Sequence, residues 1–194
     1  MKQLVIGAVL AWTWVAGAAA ADLRPSIAEP APAPAPMVSD PLIDELRLGG
    51  FIHDPQSPEK GSVDINAEIL FGKPFRSVEW WDVFLPRPHI GATVNTAGKT
   101  STLYAGLTWQ VDVTERFFLE ASFGGSVNNG QNRNLHDDMN ALGCHALFRE
   151  SASAGYKLSE HWRIVATIEH NSNAGLCSEN RGLTNGGVRI GYKF

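Results

Sequence analysis

The chain has 194 residues, enough for one domain after its terminal segments are set aside. A formal net charge of −4 and the lack of a basic run exclude nucleic acid as the expected partner. Only two cysteines are present, so a disulfide-rich scaffold is excluded as well.

The N-terminus has the pattern of an export signal. Lys2 supplies the positive start, residues 4–15 are mostly apolar, and four alanines at 18–21 offer cleavage sites. We therefore predict a signal peptide over residues 1–21. The apolar stretch is short for a membrane-spanning helix, although a retained anchor is the alternative.

A proline- and alanine-rich linker follows over residues 22–40. Within it, residues 25–36 read PSIAEPAPAPAP, and such a run of proline and alanine forms neither helix nor sheet and stays extended. The folded domain is accordingly predicted over residues 41–194.

Apolar and polar residues alternate along most of this domain, which is the pattern of β-strands with one apolar face. The alternation predicts eight strands, at 46–52, 63–71, 90–95, 103–112, 117–127, 146–158, 162–168 and 188–194. Residues 73–88, which contain Trp80 and Trp81, are irregular and fit no strand. The expected fold is all-β, an eight-stranded antiparallel transmembrane barrel.

The connections and the C-terminus favour the bacterial outer membrane as its location. The turns after the fourth and sixth strands are short, whereas the loops after the fifth and seventh are long, as in outer-membrane barrels. The terminal residues Tyr192, Lys193 and Phe194 resemble the assembly signal of such barrels. A soluble barrel or sandwich remains the alternative, because alternation alone does not tell which face is inside.

Two residues at the end of the seventh strand combine a base with a nucleophile. His170 and Ser172 are two positions apart, so both side chains lie on one face of the strand. That face continues the apolar row of Ile164 and Ile168, which would meet lipid. A histidine and a serine there suit hydrolysis of a lipid ester, although polar residues also end ordinary strands.

The stretch HNSNAGLCSENRG, residues 170–182, resembles the His-x-Ser-Asn-Ala-Gly signature of the PagL family of lipid A 3-O-deacylases. The resemblance implies an outer-membrane enzyme that removes the ester-linked acyl chain at the 3-position of lipid A, the anchor of lipopolysaccharide. It implies Ser172 as nucleophile, His170 as base, and Asn173 and Gly175 as oxyanion donors. No cofactor or metal is expected.

The family's acidic residue has no counterpart, because Thr184 occupies its position. The tight turn that sets Leu158 opposite Trp162 also sets Glu150 opposite His170 on the same face. We therefore predict Glu150 as the acid. Glu179 is the second candidate. If neither acts, the chain is a non-catalytic barrel with a structural or adhesive role.

Cys144 and Cys177 are both expected near the external end of adjacent strands, where export permits a disulfide. Metal binding is the alternative. The nearby candidate ligands match no metal-site spacing; they are His136, Asp137, Asp138 and His145. A homodimer is left open by the sequence.

Overall fold

The computed structural model describes residues 41–75 and 80–194. Eight strands lie in chain order, β1 (Ile43–Ile52), β2 (Val63–Phe71), β3 (Arg87–Asn95), β4 (Thr102–Asp112), β5 (Phe117–Asn128), β6 (Ala146–Lys157), β7 (Trp162–Ser172) and β8 (Leu183–Lys193). Each strand pairs antiparallel with the next, and β8 pairs with β1. The predicted eight-stranded closed barrel is therefore confirmed.

The two faces of the barrel wall are opposite in character. Large apolar side chains point outward, among them Leu48 at 61% and Ile190 at 54% exposure, while Arg149 and Arg189 are buried inside. A soluble protein would reverse this order, because burying charge instead of apolar surface is costly in water. The distribution answers the question that alternation left open, since the apolar face is on the outside.

Ion pairs fill the interior. Glu120 accepts hydrogen bonds from both terminal nitrogens of Arg47, at 2.7 and 2.9 Å, and one from Arg87 at 3.0 Å. Arg149 pairs with Glu169 at 2.7 Å. Buried charges are tolerated when each has a partner and further hydrogen bonds. The lumen therefore holds a polar core of paired charges.

The connections at the two ends of the barrel differ. We call the end that carries residues 53–62, 96–101, 129–145 and 173–182 the loop end, and the other end the turn end, which carries the short turns 113–116 and 158–161 and the longer connection 72–86. In outer-membrane barrels long loops face the exterior and short turns face the periplasm. The seventh strand therefore finishes at the external surface.

Three strands begin three or more residues earlier than the alternation predicts. β8 starts at Leu183, whereas the predicted strand begins at residue 188. Its first residues are paired, with Thr184 opposite His170 and Asn185 opposite Glu169. Polar residues stand on both faces there, so no apolar period marks the strand. For a similar reason β1 begins at residue 43 and β3 at residue 87.

The irregular segment between β2 and β3 contains a short 3-10 helix, Trp80–Phe84. Trp80, Trp81 and Phe84 are all more than half exposed, and the indole of Trp109 donates to the carbonyl of Phe84 at 3.0 Å. This 3-10 helix therefore lies against the outer wall at the turn end, where aromatic side chains suit a membrane interface. The predicted signal peptide and linker lie outside the described residues.

Among the residues that the structure describes, no helix has the length and apolar character needed to cross a membrane.

Candidate active site

His170 lies between a carboxylate and a hydroxyl on the outer wall. The β6–β7 register sets Glu150 opposite His170, as the turn between these strands predicts. The β7–β8 register sets Thr184 opposite the same histidine. Directly opposed side chains have Cβ atoms about 5 Å apart, so both neighbours are within reach of the imidazole.

The imidazole is bonded on the Thr184 side. Its Nδ1 lies 2.8 Å from the Thr184 hydroxyl oxygen. Gly182 closes over the ring, since a Cβ at this glycine would be 2.7 Å from His170 Cε1. With the proton on Nδ1, the ring donates to Thr184, and Nε2 remains available as a base.

Thr184 is itself fixed by an acidic residue of the first loop. Asp54 accepts a hydrogen bond from the backbone N–H of Thr184 at 3.2 Å, and one from the side-chain amide of Asn140 at 2.8 Å. Burial raises the pKa of Asp54 above its ordinary value. Sequence reasoning missed Asp54, whose signal in the sequence is its place just after a strand. In the structure its backbone is left-handed, with φ of 29°.

Glu150 has a different environment from Thr184. Its side chain is exposed on the outer wall, and within the described residues it forms neither a hydrogen bond nor an ion pair. Glu150 is therefore a neighbour of His170 across the β6–β7 pair, with no hydrogen bond between them among the described residues. Glu179 is in the loop after β7, where its backbone carbonyl accepts from the Asn173 amide.

Ser172 is the last residue of β7 and shares the outward face with His170. It lies opposite Phe148 on β6 and is partly buried. No hydrogen bond joins it to His170 in the described part of the chain. Such contacts are often loose without substrate and tighten when it binds.

The loop after Ser172 is organised by Asn173. Its side-chain oxygen accepts from the Gly175 N–H at 2.8 Å, and its amide donates to the Leu142 carbonyl at 2.8 Å. Ala174 and Gly175 both have positive φ, of 53° and 80°. The backbone N–H of Ala174 has no acceptor among the described residues. The predicted oxyanion residues therefore form one tight turn beside Ser172.

Comparison with known proteins identifies the family of this chain. The family model described as lipid A 3-O-deacylase (PagL) matches residues 71–193. The chain belongs to the PagL family. It is therefore placed among ester hydrolases of the outer membrane.

Two solved structures share the barrel. The crystal structure of the outer membrane enzyme PagL superposes with a TM-score of 0.59 at 15% identity, covering 77% of this chain and 99% of that one. A de novo designed transmembrane β-barrel gives a TM-score of 0.50 at 13% identity, covering 80% of this chain and 98% of that one. At these identities the likeness shows the fold. A comparison with curated protein sequences finds no match.

A disulfide secures the PagL motif loop in this chain. Cys144 and Cys177 are bonded, with their Cα atoms 6.2 Å apart, as predicted from their positions at the loop end. Residues 41–75 and 80–194 contain no group of three or more side chains arranged to hold a metal ion.

A buried histidine connects the loops around the PagL motif, and sequence reasoning missed it. His53 Nε2 lies 2.7 Å from Glu59 and Nδ1 lies 2.9 Å from Asp64. Burial alone would lower the pKa of His53, but these two carboxylates raise it to about 9. Glu59 in turn accepts from the backbone N–H groups of Thr100 and Asn140, at 2.9 and 2.8 Å.

This arrangement predicts that alkali loosens the loop end. A histidine whose pKa rises from about 6.5 on folding contributes its full stabilisation of the folded loops below pH 6.5. That stabilisation is lost as the pH rises through about 9. Hydrogen exchange at the Thr100 and Asn140 amides, corrected for intrinsic rates, should lose up to about a hundredfold of its protection over this range. In His53→Gln, protection should be low and independent of pH. Equal pH profiles in both proteins would contradict the assignment.

Proposed function

We propose that this protein hydrolyses the ester bond of the acyl chain at the 3-position of lipid A, on the lipid-facing wall of the barrel. The observation that carries the proposal is the placing of His170 and Ser172 on the outward face, where β7 meets the external surface. A lipid ester lies at that depth, between the acyl region and the head groups. The family to which the chain belongs supports this choice of substrate.

The proposed reaction is acyl transfer to Ser172. His170 Nε2 takes the hydroxyl proton while the serine oxygen attacks the ester carbonyl, and it then protonates the departing sugar oxygen. Water from the interface repeats the sequence on the acyl-enzyme and releases a fatty acid. The Asn173–Gly175 turn is proposed to hold the oxyanion, with the free Ala174 N–H as one donor.

We further propose that Thr184 and Glu150 share the two tasks of a catalytic acid. An acid beside a catalytic histidine orients the ring and stabilises its positive charge. The Thr184 hydroxyl, at 2.8 Å from Nδ1, suits the first task. Glu150, opposite the ring with no other partner among the described residues, suits the second. Asp54 would hold Thr184 in place from the first loop.

The nucleophile is tested by comparing the wild type with Ser172→Ala, each expressed in bacteria and assayed in outer-membrane vesicles that contain lipid A. The wild type should release the 3-linked acyl chain, and Ser172→Ala should lose activity by about a thousandfold or more, because no other oxygen replaces the serine. Mass spectrometry of the lipid A measures the acyl chain that each protein releases.

Ser178→Ala, in the same external loop, is the matched control and should retain activity. Full activity in Ser172→Ala would contradict the nucleophile. Thr184 is the specific observation that favours a second candidate, a non-catalytic barrel. That candidate predicts no acyl release even from the wild type.

The division of tasks is tested by a double-mutant cycle. Glu150→Gln should lower kcat by about a hundredfold, the usual effect of losing a positioned acid–base group. Thr184→Glu places a carboxylate directly on Nδ1, so Glu150→Gln should cost about tenfold or less in that background. Steady-state deacylation rates are measured for the wild type, the two single variants and the double variant.

Glu160→Gln, on the 158–161 turn, controls for the general loss of one negative charge. An equal loss from Glu150→Gln in both backgrounds would show that Glu150 does not act through His170.

A further inference from the structure

A trough opens in the outer wall next to Thr184. Its floor is Gly186 of β8, which is paired with Ile168 on β7 and with Ile52 on β1. The two isoleucines are 57% and 61% exposed, so they stand as ridges on either side of a residue without a side chain. The result is a groove one strand wide that faces lipid.

The groove continues upward into a polar cleft at the loop end. Asp54, Ser57 and Asn140 line its upper part, and Arg181 from the loop after β7 stands at its rim. The cavity is about 650 Å³, within the range of small-molecule binding sites. The guanidinium of Arg181 is exposed and has no ion-pair partner in the described part of the chain. One cleft therefore offers an apolar lower half and a cationic rim.

This cleft is continuous with the candidate active site. Thr184 and Ile168 line it, and both also line a second cavity of about 440 Å³ that contains His170 and Glu150. Ser172 lies opposite Phe148 on β6, the neighbour of β7 on the side away from β8. An amphiphile with one acyl chain at Ser172 could therefore place another chain on the β8 side of His170.

We propose that the Gly186 cleft binds a second acyl chain of the lipid substrate, with Arg181 facing an anionic group of its head. The proposal rests on the proposed function, because it assumes a multi-chain lipid with its scissile ester at Ser172. The complementarity is direct: the apolar groove matches a chain that is already in the membrane, and the single cation lies at head-group height.

The groove can be filled without disturbing the barrel. A Cβ at Gly186 would meet only the Thr167 carbonyl oxygen, at 3.8 Å, so Gly186→Leu should fold. Gly125 on β5 is the matched control. A Cβ there meets only the Leu147 carbonyl oxygen at 3.8 Å, and this glycine lines neither cavity. Heat-modifiable migration on gels verifies that both variants form barrels.

Binding is measured apart from catalysis, in a Ser172→Ala background that preserves the substrate. The probe is lipid A with photoreactive acyl chains, in vesicles, and cross-linked peptides are mapped by mass spectrometry. We expect labelling around Ile52, Ile168 and Gly186, abolished by Gly186→Leu, reduced by Arg181→Gln and kept in Gly125→Leu. No labelling there, or equal labelling by photoreactive phosphatidylethanolamine, would overturn the proposal.

The second readout is the rate of hydrolysis by variants in which Ser172 is intact. Gly186→Leu should raise KM for lipid A about tenfold, because the new side chain fills the groove and removes the van der Waals packing of the acyl chain against the barrel wall. It should leave hydrolysis of a short single-chain ester unchanged, as should Gly125→Leu for both substrates. Hydrolysis of lipid A that is indifferent to Gly186→Leu overturns the cleft alone. Labelled peptides without any hydrolysis overturn the proposed function and support the cleft.

Discussion

A closed sheet in lipid must satisfy every backbone hydrogen bond internally and show apolar side chains to its surroundings. This barrel obeys the constraint with a lumen of paired charges, such as Arg149 with Glu169, and an outer wall of aliphatic residues. Glu150, His170 and Thr184, the polar side chains around the candidate site, accordingly lie in the halves of their strands nearer the loop end. A reaction on a membrane lipid therefore belongs toward that end, where His170 and Ser172 stand.

The same constraint explains how a site can be assembled without the family acid. Strand register fixes which residues flank His170, so β6 contributes Glu150 and β8 contributes Thr184. Neither position depends on a flexible loop. Asp54 adds a hydrogen bond from the first loop to the backbone of Thr184. A threonine in the acid's position thus still offers His170 a bonded partner.

Sequence reasoning succeeded where short-range rules apply. A turn of fixed length sets the β6–β7 register, which made the pairing of Glu150 with His170 predictable. Topology likewise placed Cys144 near Cys177. The start of β8 was wrong, because Thr184 and Asn185 have no apolar period. The role of Asp54 was missed because its partners, Asn140 and Thr184, lie far along the chain. His53 was missed although Glu59 and Asp64 are near it in sequence, because the loop that brings them together follows no periodic pattern.

The central claim is that an outward-facing serine is the nucleophile of this barrel. Labelling with a long-chain alkyl fluorophosphonate tests it most directly, because the reagent traps an activated serine as a stable adduct. Peptide mass mapping of the intact membrane protein should find one adduct, on Ser172, and none in His170→Gln. A reactive serine elsewhere, or an unmodified Ser172 in a preparation that deacylates lipid A, would contradict the account.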